Sequence, residues 1–396
     1  MSNKEQDDIL YSAIRSVEGS QLAFFRYITA NDTGATGGHQ YGFYVGKEAA
    51  RLLFDQLGQR GSNMEKFVDI EWQNNFITKS RFIYYGVGTR NEYRITRFGK
   101  DFPFLQDEYI GSLLVISKCN YDYYKAFVLV KDEEIEAFFD HFNLSPTDSN
   151  KLINTQTDIK GREKVLLKCL SKHVAALDYI PETKLMAQLA RDCYNKVENV
   201  NITKIRNYPD KIILGWLDSE FTLFKALEDK IYYPIYSKAF ENCQALIDFA
   251  NSILNSRKSR AGHSLELHLE AIFDILNIEY EAQVITEGNK RPDFIFPSGK
   301  AYHSASFPTE KLVFLAAKRT CKDRWRQIIN EADRIKNKYL FTLQEGISTN
   351  QLREMKSENV SLVVPKMHLN KFPKEFQSEI FTLEHFVGFL HEQQHK

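Results

Sequence analysis

The hydrophobic pattern of this 396-residue chain changes period once along its length. From residue 22 to 129, apolar residues come in short runs bounded by turn formers, which predicts strands at 22–29, 41–45, 67–72, 81–85, 92–96, 112–116 and 124–129. Helices are expected at 9–17 and 132–142. The polar stretch 144–162 carries Ser-Pro-Thr-Asp-Ser and a Gly, and reads as a linker or long loop. After it the spacing turns helical, at 163–177, 182–196, 220–228, 234–255 and 264–276. Strands near 280–286, 293–297, 312–317, 338–342 and 361–364 then alternate with helices at 323–336, 348–359 and 383–393. Repeated short strands suggest a small β-barrel or sandwich in front, and alternating strands and helices a mixed α/β sheet behind, with the change near residue 175.

Composition adds limits. The length favours two domains. Lys+Arg and Asp+Glu are both 52, so any nucleic-acid binding must come from local patches. No apolar run has the length of a membrane span, and the acidic first ten residues do not form a signal peptide. The five cysteines show no CxxC pairing, which predicts neither zinc nor a disulfide framework and fits a reducing cytoplasm.

Two strand ends carry the chemistry. Arg291-Pro292-Asp293-Phe294-Ile295-Phe296 and Leu315-Ala316-Ala317-Lys318 each end an apolar run on one ionisable residue. A charge among apolar neighbours is costly unless compensated. A divalent cation on Asp293 beside Lys318 is the minimal equipment for metal-assisted phosphodiester hydrolysis. The spacing is similar to the PD-(D/E)XK signature, except that Ala316 stands where an acid is expected. Glu266, which shares a helix face with Glu270 and follows His263, and Glu331, on the expected helix 323–336, are the two candidates to replace it. Taken alone, a Pro-Asp is commonly a turn, Glu266 a surface helix residue and Tyr302 a packed tyrosine, though Tyr302 is placed to assist a proton or a phosphate. Past Lys318, the cluster Lys322-Asp323-Arg324 has the groups that read G·C edges, guanine by Lys or Arg and cytosine by Asp. The basic run 256–262, with Arg257 and Arg260, reads as a helix junction able to hold phosphates. In the front half Arg90, Glu92 and Arg94 alternate onto one face of an expected ribbon, able to reach a groove.

These stretches, together with Ala30 through Gln40, Thr89 through Glu92, Arg94 through Arg97, Lys258 through Gly262, Ala301-Tyr302-His303 and Thr320 through Ile328, resemble the EcoRII-like Type IIE restriction endonucleases of the PD-(D/E)XK superfamily. The resemblance covers nearly the whole chain and is weakest from about 132 to 250. It implies a multidomain α+β fold. Residues 1–145 would be an N-terminal β pseudobarrel binding effector DNA, and 146–177 a linker with a helix. Residues 178–396 would be an α/β restriction-endonuclease-like domain that cleaves and dimerises. It further implies a homodimeric, magnesium-dependent enzyme in the cytoplasm of a prokaryote that cuts double-stranded DNA at 5′-CCWGG. The front domain would block the nuclease cleft until it binds a second copy of the site. The metal and catalytic roles fall on Asp293, Glu266, Glu331 and Lys318, with Tyr302 nearby. Base reading falls on Lys322, Asp323 and Arg324, with Arg257 near the DNA, and Phe221 is a candidate to stack on a flipped base. Effector binding falls on Arg26, His39, Tyr44, Arg90, Glu92 and Arg94. Gly88 and Tyr93 stand where the family carries lysines, and the joining segment also differs, which bears on effector affinity and autoinhibition. The alternatives are a nuclease-dead DNA-binding regulator and a nuclease reading a related G·C-flanked site.

Overall fold

The computed structural model describes residues 7–36, 41–120, 122–145, 147–153 and 161–395. The front half comprises α1 (Asp7–Glu18), β1 (Leu22–Tyr27), α2 (Ala30–Thr33), β2 (Phe43–Val45), β3 (Met64–Trp72), β4 (Phe76–Tyr85), β5 (Glu92–Thr96), β6 (Leu113–Asn120), β7 (Tyr123–Leu129), α3 (Asp132–His141) and β8 (Lys151–Ile153). The eight strands form one sheet in the order β2-β5-β4-β3-β7-β6-β1-β8. On β3 alternate residues are buried, the mark of a half-solvated strand. On β6 the first six residues are all buried. Leu114 and Ile116 join an aromatic core with Trp72 and Phe82. Leu113 and Val115 face the other way, into a layer with Ala13 of α1 and Phe138 of α3.

Two expectations change here. The joining segment is not all loop: β8 pairs antiparallel with β1, Ala23 opposite Ile153, and so closes an otherwise open edge. The strand expected at 92–96 is found there, but Arg90 lies in the turn before it and not on its face with Glu92 and Arg94, 5.1 Å from the Tyr85 ring.

The rear half comprises α4 (Arg162–Ala176), α5 (Thr183–Glu198), α6 (Ile202–Asn207), α7 (Pro209–Tyr236), α8 (Cys243–Ile275), β9 (Glu281–Ala282), β10 (Phe294–Phe296), α9 (Gly299–His303), β11 (Val313–Lys318), β12 (Lys338–Thr342), α10 (Thr349–Ser357), β13 (Val360–Val364), β14 (Phe381–Thr382) and α11 (Leu383–His395). Its sheet runs β14-β13-β12-β11-β10-β9. Strands β11 to β14 are parallel, and β9 and β10 antiparallel. Trp216, Leu269, Phe273 and Phe386 from α7, α8 and α11 cover one face. Trp325, Ile328, Leu352 and Phe372 cover the other.

Here the structure departs from the sequence expectations in three places. Helices expected at 220–228, 234–255 and 264–276 are two long ones. Pro209 opens α7 at its first turn, where a missing N–H costs nothing, and Pro234 falls in its last turn. The Asn242 side chain caps α8 by accepting the Ala245 N–H at 2.9 Å. The basic run therefore lies inside α8 and is no junction, because Arg, Lys, Ser and Ala continue a helix at little cost. Second, 323–336 is not a helix. It is a 3-10 turn, Arg324–Ile328, followed by irregular chain with Ala332 at φ +52°. Lys338 Nζ donates to the carbonyls of Glu331 and Ala332, and the Ala332 carbonyl also accepts the Ile335 N–H at 2.9 Å, a single tight turn that does not continue as a helix. Third, Cys169 of α4 and Cys193 of α5 are joined by a disulfide, against the expectation of none, because two helices pack those positions face to face.

One buried cluster ties the two halves and carries a pH consequence. Glu345 accepts from Ser149 Oγ at 2.9 Å and is paired with Lys371, with His368 Nε2 3.6 Å away. Burial opposes the Glu345 charge, but Lys371 and His368 hold its carboxyl below the ordinary value. Burial pushes the His368 imidazole down to about 4. Free in the unfolded chain, it titrates near 6.5. Between those two values the unfolded chain takes a proton that the folded chain refuses. The stability is therefore present above 6.5 and is lost as the pH falls towards 4, by about 3 kcal/mol. His368→Asn is expected to flatten this part of a Tm-against-pH profile, and an unchanged slope would contradict the assignment.

Candidate active site and nucleic-acid interface

Strand register brings the two central residues together. Phe294 pairs with Leu315 across β10 and β11, which sets Asp293 at the end of one strand beside the end of the other. Asp293 is 8 % exposed. Its Oδ2 accepts the Ala317 N–H at 2.8 Å and lies 3.1 Å from Lys318 Nζ. Gln283 Nε2 reaches its Oδ1 at 3.4 Å. Alternation along β11 puts Phe314, Ala316 and Lys318 on one face, the face that packs against Trp325, Ile328 and Ala332. Ala316 is fully buried on that face and supplies no acidic side chain there.

Both candidate glutamates feel this pair. Burial, and then the Asp293 charge, push the Glu266 carboxyl up to about 7, with Lys318 and His263 opposing. Glu331 is raised by burial and then by Asp293, again with Lys318 opposing. Glu270 is raised by burial and then by Asp274, so its neighbours differ from those of Glu266. Behind α8, His268 is buried 2.9 Å from Glu220, which also accepts from Ser264 Oγ at 2.8 Å. Among the described residues no group of three His, Cys, Asp or Glu side chains is arranged to hold a metal ion. The donor set nonetheless fits a hard divalent cation: half-buried carboxylates repel one another beside the Lys318 ammonium, and a cation would relieve them. Tyr302 is not on the Asp293–Lys318 pair. Its hydroxyl lies 2.7 and 2.6 Å from the two Glu287 oxygens.

The residues expected to read bases are covered. Helix α3, almost two hundred residues earlier, lies over them. Asp132 accepts the backbone N–H groups of Lys322, Asp323 and Arg324 at 3.1, 2.6 and 3.1 Å. Arg324 bonds Glu136 at 2.7 Å, and Arg319 lies 3.5 Å from Asp140. Lys322 is 3 % exposed and donates to Ser112 Oγ at 2.6 Å and to the Glu108 carbonyl at 3.1 Å. Burial pushes its ammonium down to about 8. Arg257 is held by Glu228 at 2.7 and 2.9 Å and donates to the Asp140 carbonyl at 2.9 Å. Arg260 donates to the Pro181 carbonyl and lies 4.9 Å from the Phe224 ring. Phe221 is half-buried and lines a small apolar cavity with Leu217, Phe224, Arg257 and Arg260. The acidic face of α3 went unread in the sequence. The signal was there, since Asp132, Glu136 and Asp140 recur every fourth residue of an expected helix.

Four of the effector candidates share one cleft of about 310 Å³. Arg26, Tyr44, Glu92 and Arg94 line it, together with Glu345, Asn370 and Lys371 from the rear half. Arg26 is fixed by Asp32 at 2.6 Å and donates to the Tyr44 carbonyl. Arg94 lies 3.5 Å from Glu92. Arg90 stands outside the cleft, in its turn, and His39 lies outside the described residues. Tyr93 points away from the cleft into the core, where its ring centroid is 4.7 Å from that of Tyr84. It contributes packing and would offer no charge to DNA.

Comparison with known proteins follows the same division of the chain. Residues 17–148 match the model of the restriction endonuclease EcoRII N-terminal domain, and 224–387 that of the EcoRII C-terminal domain. Over 387 residues the chain is 36% identical to the Type II restriction enzyme EcoRII of Escherichia coli, covering 93% of this chain and 94% of that one. Among solved structures, metal-depleted Ecl18kI in complex with uncleaved, modified DNA is 22% identical with a TM-score of 0.45, over 59% of this chain and 84% of that one. A PspGI–substrate DNA complex is 15% identical with a TM-score of 0.43, over 54% and 93%. With both domains matched in order and a third of its residues shared along nearly its whole length, the chain belongs to the EcoRII family of Type II restriction endonucleases.

Proposed function

We propose that this endonuclease hydrolyses double-stranded DNA at 5′-CCWGG or a closely related site, with magnesium, as a homodimer held by its rear domain. The observation that carries the reading is the 3.1 Å contact between Asp293 and Lys318, with Glu266 and Glu331 coupled electrostatically to both. Asp293 with one of these glutamates would hold the cation, which when bound polarises the phosphate and makes water more acidic. Lys318 supplies a fixed positive charge where negative charge develops on the phosphate, and needs no reorganisation to do so. Lys322, Asp323 and Arg324 present the donors and acceptor that distinguish G·C from A·T in the major groove.

The front domain has two roles in this reading. It binds an effector copy of the site through the cleft of Arg26, Tyr44, Glu92 and Arg94. It also inhibits the nuclease, because α3 holds the base-reading loop through its carboxylates. DNA cannot reach Lys322 until that contact opens. Effector DNA entering its own cleft meets Glu345, Asn370 and Lys371, so binding there disfavours the closed arrangement.

Mapping the cut ends of a digested genome tests the function. Magnesium-dependent ends at CCWGG are expected. Ends at a different G·C-flanked site would replace the specificity. No cutting with magnesium, with specific DNA binding retained, would favour the nuclease-dead regulator.

A further inference from the structure

Glu331 sits on no regular element, yet its position is held from several sides. Lys338 of β12 is 3 % exposed, and its Nζ donates to the carbonyls of Glu331 and of Ala332, the latter at 2.6 Å. Its ammonium lies 5.1 Å from the Phe314 ring. Lys290 Nζ donates to the Asn330 carbonyl. Glu287 accepts the Asp333 N–H at 3.2 Å, and the Tyr302 hydroxyl, bound to Glu287, accepts the Arg334 N–H at 3.4 Å. The Arg334 guanidinium then returns to the Ala301 and Ser304 carbonyls at 3.3 and 2.8 Å. Every residue from Asn330 to Arg334 is thus gripped by a side chain from elsewhere.

This is more than a reversal of the chain needs. A buried ammonium is costly, and an apolar side chain would fill the same volume without that cost. The carbonyls it bonds are those of the glutamate itself and of the left-handed Ala332, the residue that sets the direction of the turn. Tyr302 is committed in the same way: its hydroxyl faces Glu287 and the turn, not the Asp293–Lys318 pair.

We propose that Lys338 and the Tyr302–Glu287 pair are positioning residues that hold segment 330–334 so that the Glu331 carboxylate stays beside Asp293 and Lys318. This rests on the reading of Glu331 as a carboxylate for the cation. Ala316 leaves its face of β11 without an acid, and Glu331 comes from a loop packed on that same face. A carboxylate carried on a loop binds a cation well only if the loop does not move.

The test uses the full-length protein and four variants: Tyr302→Phe, Glu287→Gln, Lys338→Met and Glu331→Gln. Magnesium binding is measured by titration calorimetry, and cleavage as a function of magnesium at saturating DNA. Amide hydrogen exchange across 330–334 reports on the clamp without any metal. Tyr302→Phe and Glu287→Gln are each expected to weaken magnesium binding about ten- to a hundredfold. Both should speed exchange in the segment, and the double variant should be no worse than either single one. Lys338→Met should do the same. If it does not fold, the Tyr302 and Glu287 variants decide. A lower cleavage rate for Tyr302→Phe at saturating magnesium, with magnesium affinity unchanged, would overturn the proposal and put the hydroxyl at the reacting phosphate. Unchanged exchange in Glu287→Gln would also overturn it. If Glu331→Gln leaves magnesium binding intact, the underlying reading of Glu331 falls, whether or not the clamp variants speed exchange.

Discussion

Lys318→Ala is expected to abolish cleavage, by about a thousandfold or more, while sequence-specific binding to DNA survives. The side chain is a poor candidate for a structural role. It ends its strand, is partly exposed, and makes its ion pair with Asp293 at 3.1 Å. Its removal leaves Asp293 the Ala317 N–H and the Gln283 amide as partners, so the fold is expected to persist. What is lost is the ammonium paired with Asp293, which also opposes the upward push of Asp293 on Glu266 and Glu331. Without it the developing charge on the phosphate has no fixed cation from the protein. The assay is cleavage of a cognate duplex under single-turnover conditions, with binding followed by gel shift in calcium. Normal cutting by the variant would remove Lys318 from the chemistry.

The second large effect concerns the front domain. A protein lacking residues 1–160 is expected to cut a substrate with one site as fast as one with two. The cut belongs before α4. Leu170 of that helix is buried against Met186, Leu223 and Leu227, so a truncation near residue 175 would unpack α5 and α7 as well. The same release should follow from Asp132→Ala with Glu136→Ala in the intact chain. Carboxylates at 132, 136 and 140 lie about 6 Å apart along α3 and take the groups proposed to meet DNA. A hydrogen bond to a charged group contributes about 1.5–3 kcal/mol. Losing the two carboxylates should shift the closed form towards the open one by about a hundredfold or more. Cleavage of a one-site plasmid measures the shift. If the truncated protein still needs two sites in cis, the contact with α3 is not what restrains the enzyme.

Much of this was legible from local pattern. The strands expected in the front half fall where short apolar runs lie between turn formers. β10 and β11 could be placed because each is a short apolar run ending on one charge. Local pattern failed where distant groups decide. Residues 323–336 have helical spacing, but Lys338 and Glu287 take the backbone groups that a helix would need. The run 256–262 looks like a break because it is basic, yet the helix passes through it, since charge alone does not end a helix. Residues 151–153 look like linker because an edge strand of three residues carries almost no period. The cysteine spacing has no motif, and only the packing of α4 on α5 brings Cys169 to Cys193.

By itself the sequence determined the two-part division and the strand ends that carry Asp293 and Lys318, and it marked Lys322, Asp323 and Arg324 as candidates to read G·C pairs, because period, turn chemistry and side-chain type act over a few residues. Tertiary structure alone decided that Glu266 and Glu331 attend the pair and that Tyr302 is spent on Glu287. It alone laid the acidic face of α3 over Lys322, Asp323 and Arg324. Each of these is a contact between residues far apart in the chain, and its energy depends on burial and distance, which no local pattern encodes.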